Sequence, residues 1–321
     1  MTFPQMLAEA AAPIIIDGGL GTAAEDRDID LDHHLWSAEL IRTDPDTLLA
    51  VHADFARAGA RILTTASYQA TPAGFAEAGI SAAEGSRIVA DSVRIAREAA
   101  DRSAGASDEP ARGTEILIAG SVGPYGAALG DGAEYSGDYR LTPEEYTAFH
   151  RPRIAALAAS GAELLAIETQ PRLDETRVLI DLAEETGLPA WVTVTLREGT
   201  DTAGSDPLGP TLPDGSSLAD LAEVAAASAE IQAIGVNCVR PSVVTPALRE
   251  LSRHTDLPLI AYPNSGETYD AEAMEWRDDG TEAGVGSWPV AEWSRLGARI
   301  IGGCCRVRPD DIATLNDFVR P

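Results

Sequence analysis

The chain holds three cysteines, Cys238, Cys304 and Cys305. Cys238 ends the string Ile234-Gly235-Val236-Asn237-Cys238, and the pair Cys304-Cys305 follows Ile301-Gly302-Gly303. Each string reads as an apolar strand that stops at its cysteine. Three thiolates suit a borderline-soft ion such as zinc, and a catalytic zinc site typically keeps three protein ligands with a fourth position open. An odd cysteine count argues against a disulfide framework and for thiol or metal chemistry. Spacing alone leaves other readings open. A cysteine at a strand end is often a small buried hydrophobe, and adjacent cysteines can form a strained disulfide. The pattern is not a C-x-x-C pair of the zinc-ribbon kind. What favours the metal is that all three fall at strand ends, which turns the question to the elements that would carry them.

Short apolar runs alternate with longer helical patterns along the whole chain. Strands are expected near Ile14–Asp17, Arg61–Thr65, Glu115–Gly120, Glu163–Glu168, Ala190–Thr195, Ile231–Asn237, Leu257–Tyr262 and Arg299–Gly302. Eight strands in one unbroken alternation predict parallel pairing with crossover helices, and a (β/α)8 barrel rather than an open sheet. No stretch reads as a linker, so residues 1–321 are expected to form a single barrel domain. Asp44-Pro45 predicts a helix start, with a capping carboxylate before a proline at the first helical position. Thr142-Pro143-Glu144-Glu145 is a capping box, and the helix from Arg172 to Thr186 should stop at Gly187. Four long loops, Gly18 to Thr43, Ser121 to Leu141, Arg197 to Ser216 and Pro263 to Ser287, follow strands one, three, five and seven. All lie on the C-terminal side of the strands, the face that carries active sites in such barrels. Cys238 and the Cys304-Cys305 pair, after strands six and eight, would meet on that rim.

The net charge is −27 and all 24 basic residues are arginine. A surface this acidic has no cationic field for phosphates, which excludes nucleic acid and anionic membranes as partners. The amino terminus lacks the pattern of a signal peptide, and no run approaches the ~20 apolar residues of a membrane span. A cytoplasmic enzyme acting on small molecules is expected, with the oligomeric state, monomer included, left open.

Several strings taken together identify a resemblance. Gly302-Gly303-Cys304-Cys305-Arg306 with Gly235-Val236-Asn237-Cys238 resembles the homocysteine S-methyltransferase family. Asp17-Gly18-Gly19-Leu20-Gly21-Thr22, Ala66-Ser67-Tyr68-Gln69-Ala70, Ser121-Val122-Gly123-Pro124-Tyr125-Gly126, Glu168-Thr169-Gln170-Pro171 and Tyr262-Pro263-Asn264-Ser265-Gly266-Glu267 follow in family order. The stretch from Ser121 to Gly126, followed by Glu134-Tyr135-Ser136-Gly137-Asp138-Tyr139, is similar to the bacterial and plant branch that uses S-methylmethionine. The resemblance implies zinc on Cys238, Cys304 and Cys305, and homocysteine and a sulfonium donor as substrates. The chemistry is consistent. A free thiol of pKa near 8.5 is a poor nucleophile at neutral pH, and a zinc site deprotonates it. Methyl transfer from a sulfonium is then an in-line displacement that needs no protein acid, base or nucleophile.

The resemblance also implies substrate handles. Asp17 and Glu168 would take the amino acid's ammonium, and the Gly18 and Gly19 amides would approach its carboxylate. Tyr68 and Trp36 would form the donor side, where an aromatic face can hold a sulfonium. Asn264 would stand near the metal. The glycine run at 18–21 lacks a phosphate-loop register. The five histidines, His33, His34, His52, His150 and His254, avoid strand ends and read as loop or helix-surface residues rather than ligands. Departures from the family lie in Val194-Thr195-Leu196-Arg197 and in the acidic segments 198–216 and 277–286, and they bear on donor identity. Within the family the alternatives are betaine as donor or a selenium acceptor. Outside it stand a zinc- or redox-sensing thiol protein without turnover, and a structural zinc site with a fixed fourth protein ligand.

Overall fold

The computed structural model describes residues 1–29, 37–104, 115–197, 210–270, 275–277 and 284–320. The strands are β1 (Ile14–Ile15), β2 (Ile62–Thr64), β3 (Leu117–Val122), β4 (Leu164–Gln170), β5 (Ala190–Val194), β6 (Ile231–Asn237), β7 (Leu259–Tyr262), β8 (Thr268–Asp270), β9 (Glu275–Arg277) and β10 (Ala298–Ile301). All but β8 and β9 form one parallel sheet in the order β1-β10-β7-β6-β5-β4-β3-β2. A parallel bridge from Ile16 to Ile62 joins its two ends, with Arg61 N donating to Ile15 O and Asp17 N to Ile62 O. The sheet is thus a (β/α)8 barrel, as the alternation of elements predicts. Strands β8 and β9 make an antiparallel hairpin in the loop after β7. Strands β3 and β4 run two residues past their expected ends, because pairing continues to Val122↔Ile167 and Gln170↔Val194.

Period-two alternation sorts the strand residues into two layers. Ile14, Ile16, Ile62, Leu117, Ala119, Leu164, Ala166, Trp191, Ala233, Ile260, Tyr262 and Ile300 pack as one buried cluster inside the barrel. Their neighbours, such as Ile15, Leu63, Ile118, Leu165 and Val192, belong to the layer under the helices. The amino-terminal helix Phe3–Glu9, capped by a Thr2–Gln5 box, sends Phe3, Met6 and Leu7 into the inner cluster. Phe3 meets Trp191 edge-on at 5.9 Å between ring centroids.

The expected caps form. Asp44 accepts from Thr47 N, Thr142 and Glu145 make a reciprocal box, and Gly187 ends the helix Leu173–Thr186 at φ +67°. Two histidines depart from expectation. His52 and His150 are fully buried, because each lies on the inner face of its helix, beside Val51 and Phe55 and beside Phe149 and Arg153. His254 is exposed, as expected, and His33 and His34 lie outside the described residues. No described helix is long and apolar enough to cross a membrane.

Candidate metal centre and active site

The cysteines stand on either side of β7, which lies between β6 and β10 in the sheet. Backbone bonds continue the ladder beyond the strand ends and lock both segments to the exit of β7. Cys238 N donates to Tyr262 O at 3.2 Å, Cys304 N to Pro263 O at 2.8 Å, and Ser265 N to Cys305 O at 3.1 Å. The three sulfurs lie within 4.8 Å of one another, with Cys238 Sγ 2.6 Å from Cys304 Sγ and 3.6 Å from Cys305 Sγ. Three sulfurs each about 2.3 Å from one ion in tetrahedral directions stand roughly 3.8 Å apart; Cys238 and Cys305 are close to that separation, and Cys304 would draw back from Cys238 by about 1 Å to join them on one ion.

The protonation pattern of the cluster points the same way. Cys305 accepts from Cys238 and from Cys304 and is held well below the usual thiol range. Cys304, donating to Cys238 and Cys305 in a buried place, is pushed well above it. For Cys238 the bond from Cys304 favours thiolate, but its own bond to Cys305 and burial outweigh that and raise it. A thiophilic dication would supply the charge that stabilises all three, so the donor set fits such an ion.

Above the apolar interior the inward-facing positions turn polar. Glu168 on β4 is buried and accepts from Ser121 Oγ on β3 and from Tyr262 Oη on β7 at 3.1 Å. Tyr262 Oη in turn accepts from Trp191 Nε1 at 3.1 Å and pairs with Thr193 Oγ1 at 2.7 Å. Asp17 is buried and held by Thr64, whose N–H donates at 2.7 Å and whose hydroxyl reaches both carboxylate oxygens. Burial pushes Asp17 up to about 8 and Glu168 up to about 7. Both carboxyls are held by hydroxyls and an amide, and neither has an arginine partner among the described residues, so an incoming ammonium would find them uncompensated.

Of the two glycines expected to offer amides, Gly19 uses its own, donating to Val307 O at 2.8 Å. A Cβ at Gly19 would stand 2.7 Å from Cys304 O, so glycine is needed there to let the cysteine segment approach. The Gly18 amide has no partner among the described residues. Asn264 follows β7 between the two cysteine segments, its N–H on Val239 O at 2.9 Å and its Oδ1 buried without a partner among the described residues. Trp36 lies outside the described residues, as do residues 198–209 and 278–283 of the divergent acidic segments.

Tyr68 packs its ring on Gly123, where a Cβ would come within 2.6 Å of ring carbons. Burial, Glu134 and Cys238 keep its phenol well above the usual range, and Thr169 shares a hydrogen bond with it. Tyr135, to which the sequence assigns no role, brings its hydroxyl to 3.5 Å from Cys238 Sγ while the residue remains 39% exposed. It sits on a short helix, Ala133–Ser136, bracketed by Gly132 at φ +82° and Gly137 at φ +68°. The density of aromatic and acidic residues between glycines in that loop was the available signal.

A buried polar network holds this wall in place. Arg153 donates to Gly123 O and, at 3.1 Å, to Tyr68 O. Glu175 accepts from Tyr125 N at 2.6 Å, from the Tyr139 hydroxyl and from His150 Nε2 at 2.7 Å. His150 Nδ1 faces Arg153 Nη2 at 2.6 Å, and burial and Arg153 drive His150 down to about 4. The neutral imidazole thus donates to Glu175 and accepts from Arg153.

Known proteins resemble the chain along most of its length. The homocysteine S-methyltransferase family pattern matches residues 14–319. The chain is 43% identical to a homocysteine S-methyltransferase of Escherichia coli K12 over 94% of each chain. It is 38% identical to a selenocysteine methyltransferase of Astragalus bisulcatus, over 95% of this chain and 92% of that one. Among solved structures, the metallated form of the Escherichia coli homocysteine methyltransferase MmuM superposes with a TM-score of 0.83 at 38% identity, covering 98% of both chains. The apo form of that enzyme gives 0.73. The chain belongs to the homocysteine S-methyltransferase family and is a methyltransferase.

Proposed function

We propose that this enzyme transfers the methyl group of a sulfonium amino acid, S-methylmethionine or S-adenosylmethionine, to the sulfur of L-homocysteine, and that Cys238, Cys304 and Cys305 hold zinc. The observation that carries the reading is the convergence of the three sulfurs within 4.8 Å on the rim that also holds the buried Asp17 and Glu168. Zinc bound there would lower the pKa of the homocysteine thiol so that it is present as thiolate at neutral pH. Asp17 and Glu168 receive the ammonium of homocysteine, and the Gly18 amide, which has no partner among the described residues, takes its carboxylate. Tyr68 and Tyr135 wall the donor side and exclude water. The thiolate sulfur forms a bond to the methyl carbon as the donor's carbon–sulfur bond breaks. That electron pair stays on the departing sulfur, which leaves as a neutral thioether, so no side chain moves a proton. Relatives named as selenocysteine methyltransferases support a second reading of the acceptor, a selenol in place of the thiol.

The test is a methyl-transfer assay on zinc-loaded enzyme, with S-methylmethionine, S-adenosylmethionine and betaine offered in parallel and Cys304→Ala as control. Methionine from one sulfonium donor, absent in the control, is the expected result. No methionine from any donor, with one zinc per chain confirmed, would sink the reading.

A further inference from the structure

Glu134 has no evident work to do in the fold. Its Oε2 is buried and has no hydrogen-bond partner among the described residues. Burial pushes it up to about 7 against a single bond from its own backbone N–H, and the side-chain charges that act on it, Cys238 and Asp131, are of its own sign. It immediately precedes Tyr135 on the short helix Ala133–Ser136, whose tyrosine hydroxyl stands 3.5 Å from Cys238 Sγ, so the carboxyl belongs to the wall beside the cysteines. A carboxylate set among acids and phenols costs folding energy unless a cation arrives from outside.

The reaction assigned above brings such a cation to this place. In-line transfer sets the methyl carbon about 3–3.5 Å from the attacking sulfur, so the donor's sulfonium centre lies roughly 5 Å from it, beside the cysteines. Building on that assignment, we propose that Glu134 is the specificity-determining counter-ion for the donor's sulfonium charge, with Tyr68 and Tyr135 as the aromatic walls of the same subsite. Glu134 then selects a cationic methyl donor over the neutral thioether it becomes. Because the positive charge disperses as the methyl leaves, the carboxylate favours the bound donor more than the transition state. It therefore tightens donor binding and does nothing to accelerate the methyl transfer. The same loss of charge lets the thioether product go.

The experiment compares zinc-loaded wild type, Glu134→Gln and Glu134→Asp. Calorimetry without homocysteine measures binding of S-methylmethionine and, separately, of methionine, its neutral counterpart. In Glu134→Gln the affinity for S-methylmethionine should fall about 30-fold while that for methionine stays within twofold. In turnover the donor KM should rise similarly, with kcat and the homocysteine KM within threefold. Glu134→Asp keeps the charge and should retain most of the sulfonium preference, which a purely structural role of the side chain would not allow. Equal weakening of both ligands, or an unchanged preference in Glu134→Gln, overturns the proposal while wild-type turnover leaves the functional reading standing. A wild type that makes methionine from no donor fails the functional reading itself.

Discussion

Asn237 holds Thr169 from both sides: Thr169 N donates to Asn237 Oδ1 at 2.7 Å, and Asn237 Nδ2 donates to Thr169 Oγ1 at 2.7 Å. The pair spans β6 and β4 and is buried. It matters because Thr169 is at φ +59° and Cys238, the next residue after Asn237, is at φ +51°. A β-branched residue in the left-handed region is strained and persists only where its surroundings hold it. Replacing Asn237 by Ala should therefore cost about 2–4 kcal/mol of stability and loosen the segment that carries Cys238, and with it the zinc affinity proposed for the three cysteines. Urea unfolding and zinc titration check this; a variant as stable and as tight for zinc as wild type would contradict it.

The network at Glu175 should govern the donor-side wall from a distance. Glu175→Gln leaves Tyr125 N, the Tyr139 hydroxyl and His150 with a poorer acceptor in a buried place. Arg153 loses its counter-charge at the same time. A loss of about 3 kcal/mol is expected by denaturant unfolding. The donor KM should rise more than the homocysteine KM, because Tyr68 and the 125–139 loop hang on this network while Asp17 and Glu168 do not. Equal effects on both constants would show that the network does not orient the wall.

Tyr262→Phe removes the hydroxyl that donates to Glu168 and leaves Trp191 Nε1 and Thr193 Oγ1 without it. With Glu168 free to turn, the homocysteine KM should rise about tenfold while kcat stays within threefold, since the ammonium contact is the same in ground and transition states. A stability loss of about 1–3 kcal/mol should accompany it. Steady-state kinetics at varied homocysteine provide the check, and an unchanged KM in a folded variant counts against an ammonium role for Glu168.

His52 makes stability depend on pH in a window of its own. It is buried, both ring nitrogens lack partners among the described residues, and burial drives it down to about 4 from an ordinary 6.5. Between those values the unfolded chain binds a proton that the fold refuses. Its contribution is therefore complete above pH 6.5 and is lost as pH falls toward 4. Asp17, pushed up to about 8, works in the opposite sense, its contribution falling as pH rises. The difference between wild type and His52→Leu cancels everything the two proteins share. The variant should gain about 2 kcal/mol on wild type between pH 7 and pH 5. Parallel stability curves over that range would mean that His52 does not titrate as its burial requires.

The sequence by itself determined the barrel and the place of its three thiols on one rim. Strand alternation, the Asp44 and Thr142 caps and the glycine stop at Gly187 are local signals, written within a few residues of where they act. The cysteines were legible for the same reason: once eight strands alternate with helices, strand ends share a rim, and Cys238, Cys304 and Cys305 follow strand ends. The inward turn of Glu168 also follows from period two, continuing Leu164 and Ala166. The tertiary structure alone decided what depends on distant surfaces meeting. Tyr135 reaches Cys238 across 103 residues because a loop folds back over the rim, and no spacing rule foretells that. The Asn237–Thr169 clamp, the burial of His52 and His150, and the use of the Gly19 amide by Val307 are of the same kind. Helical period says that a residue shares a face with its neighbours, but which face is covered is set by the packing of elements far apart in the chain.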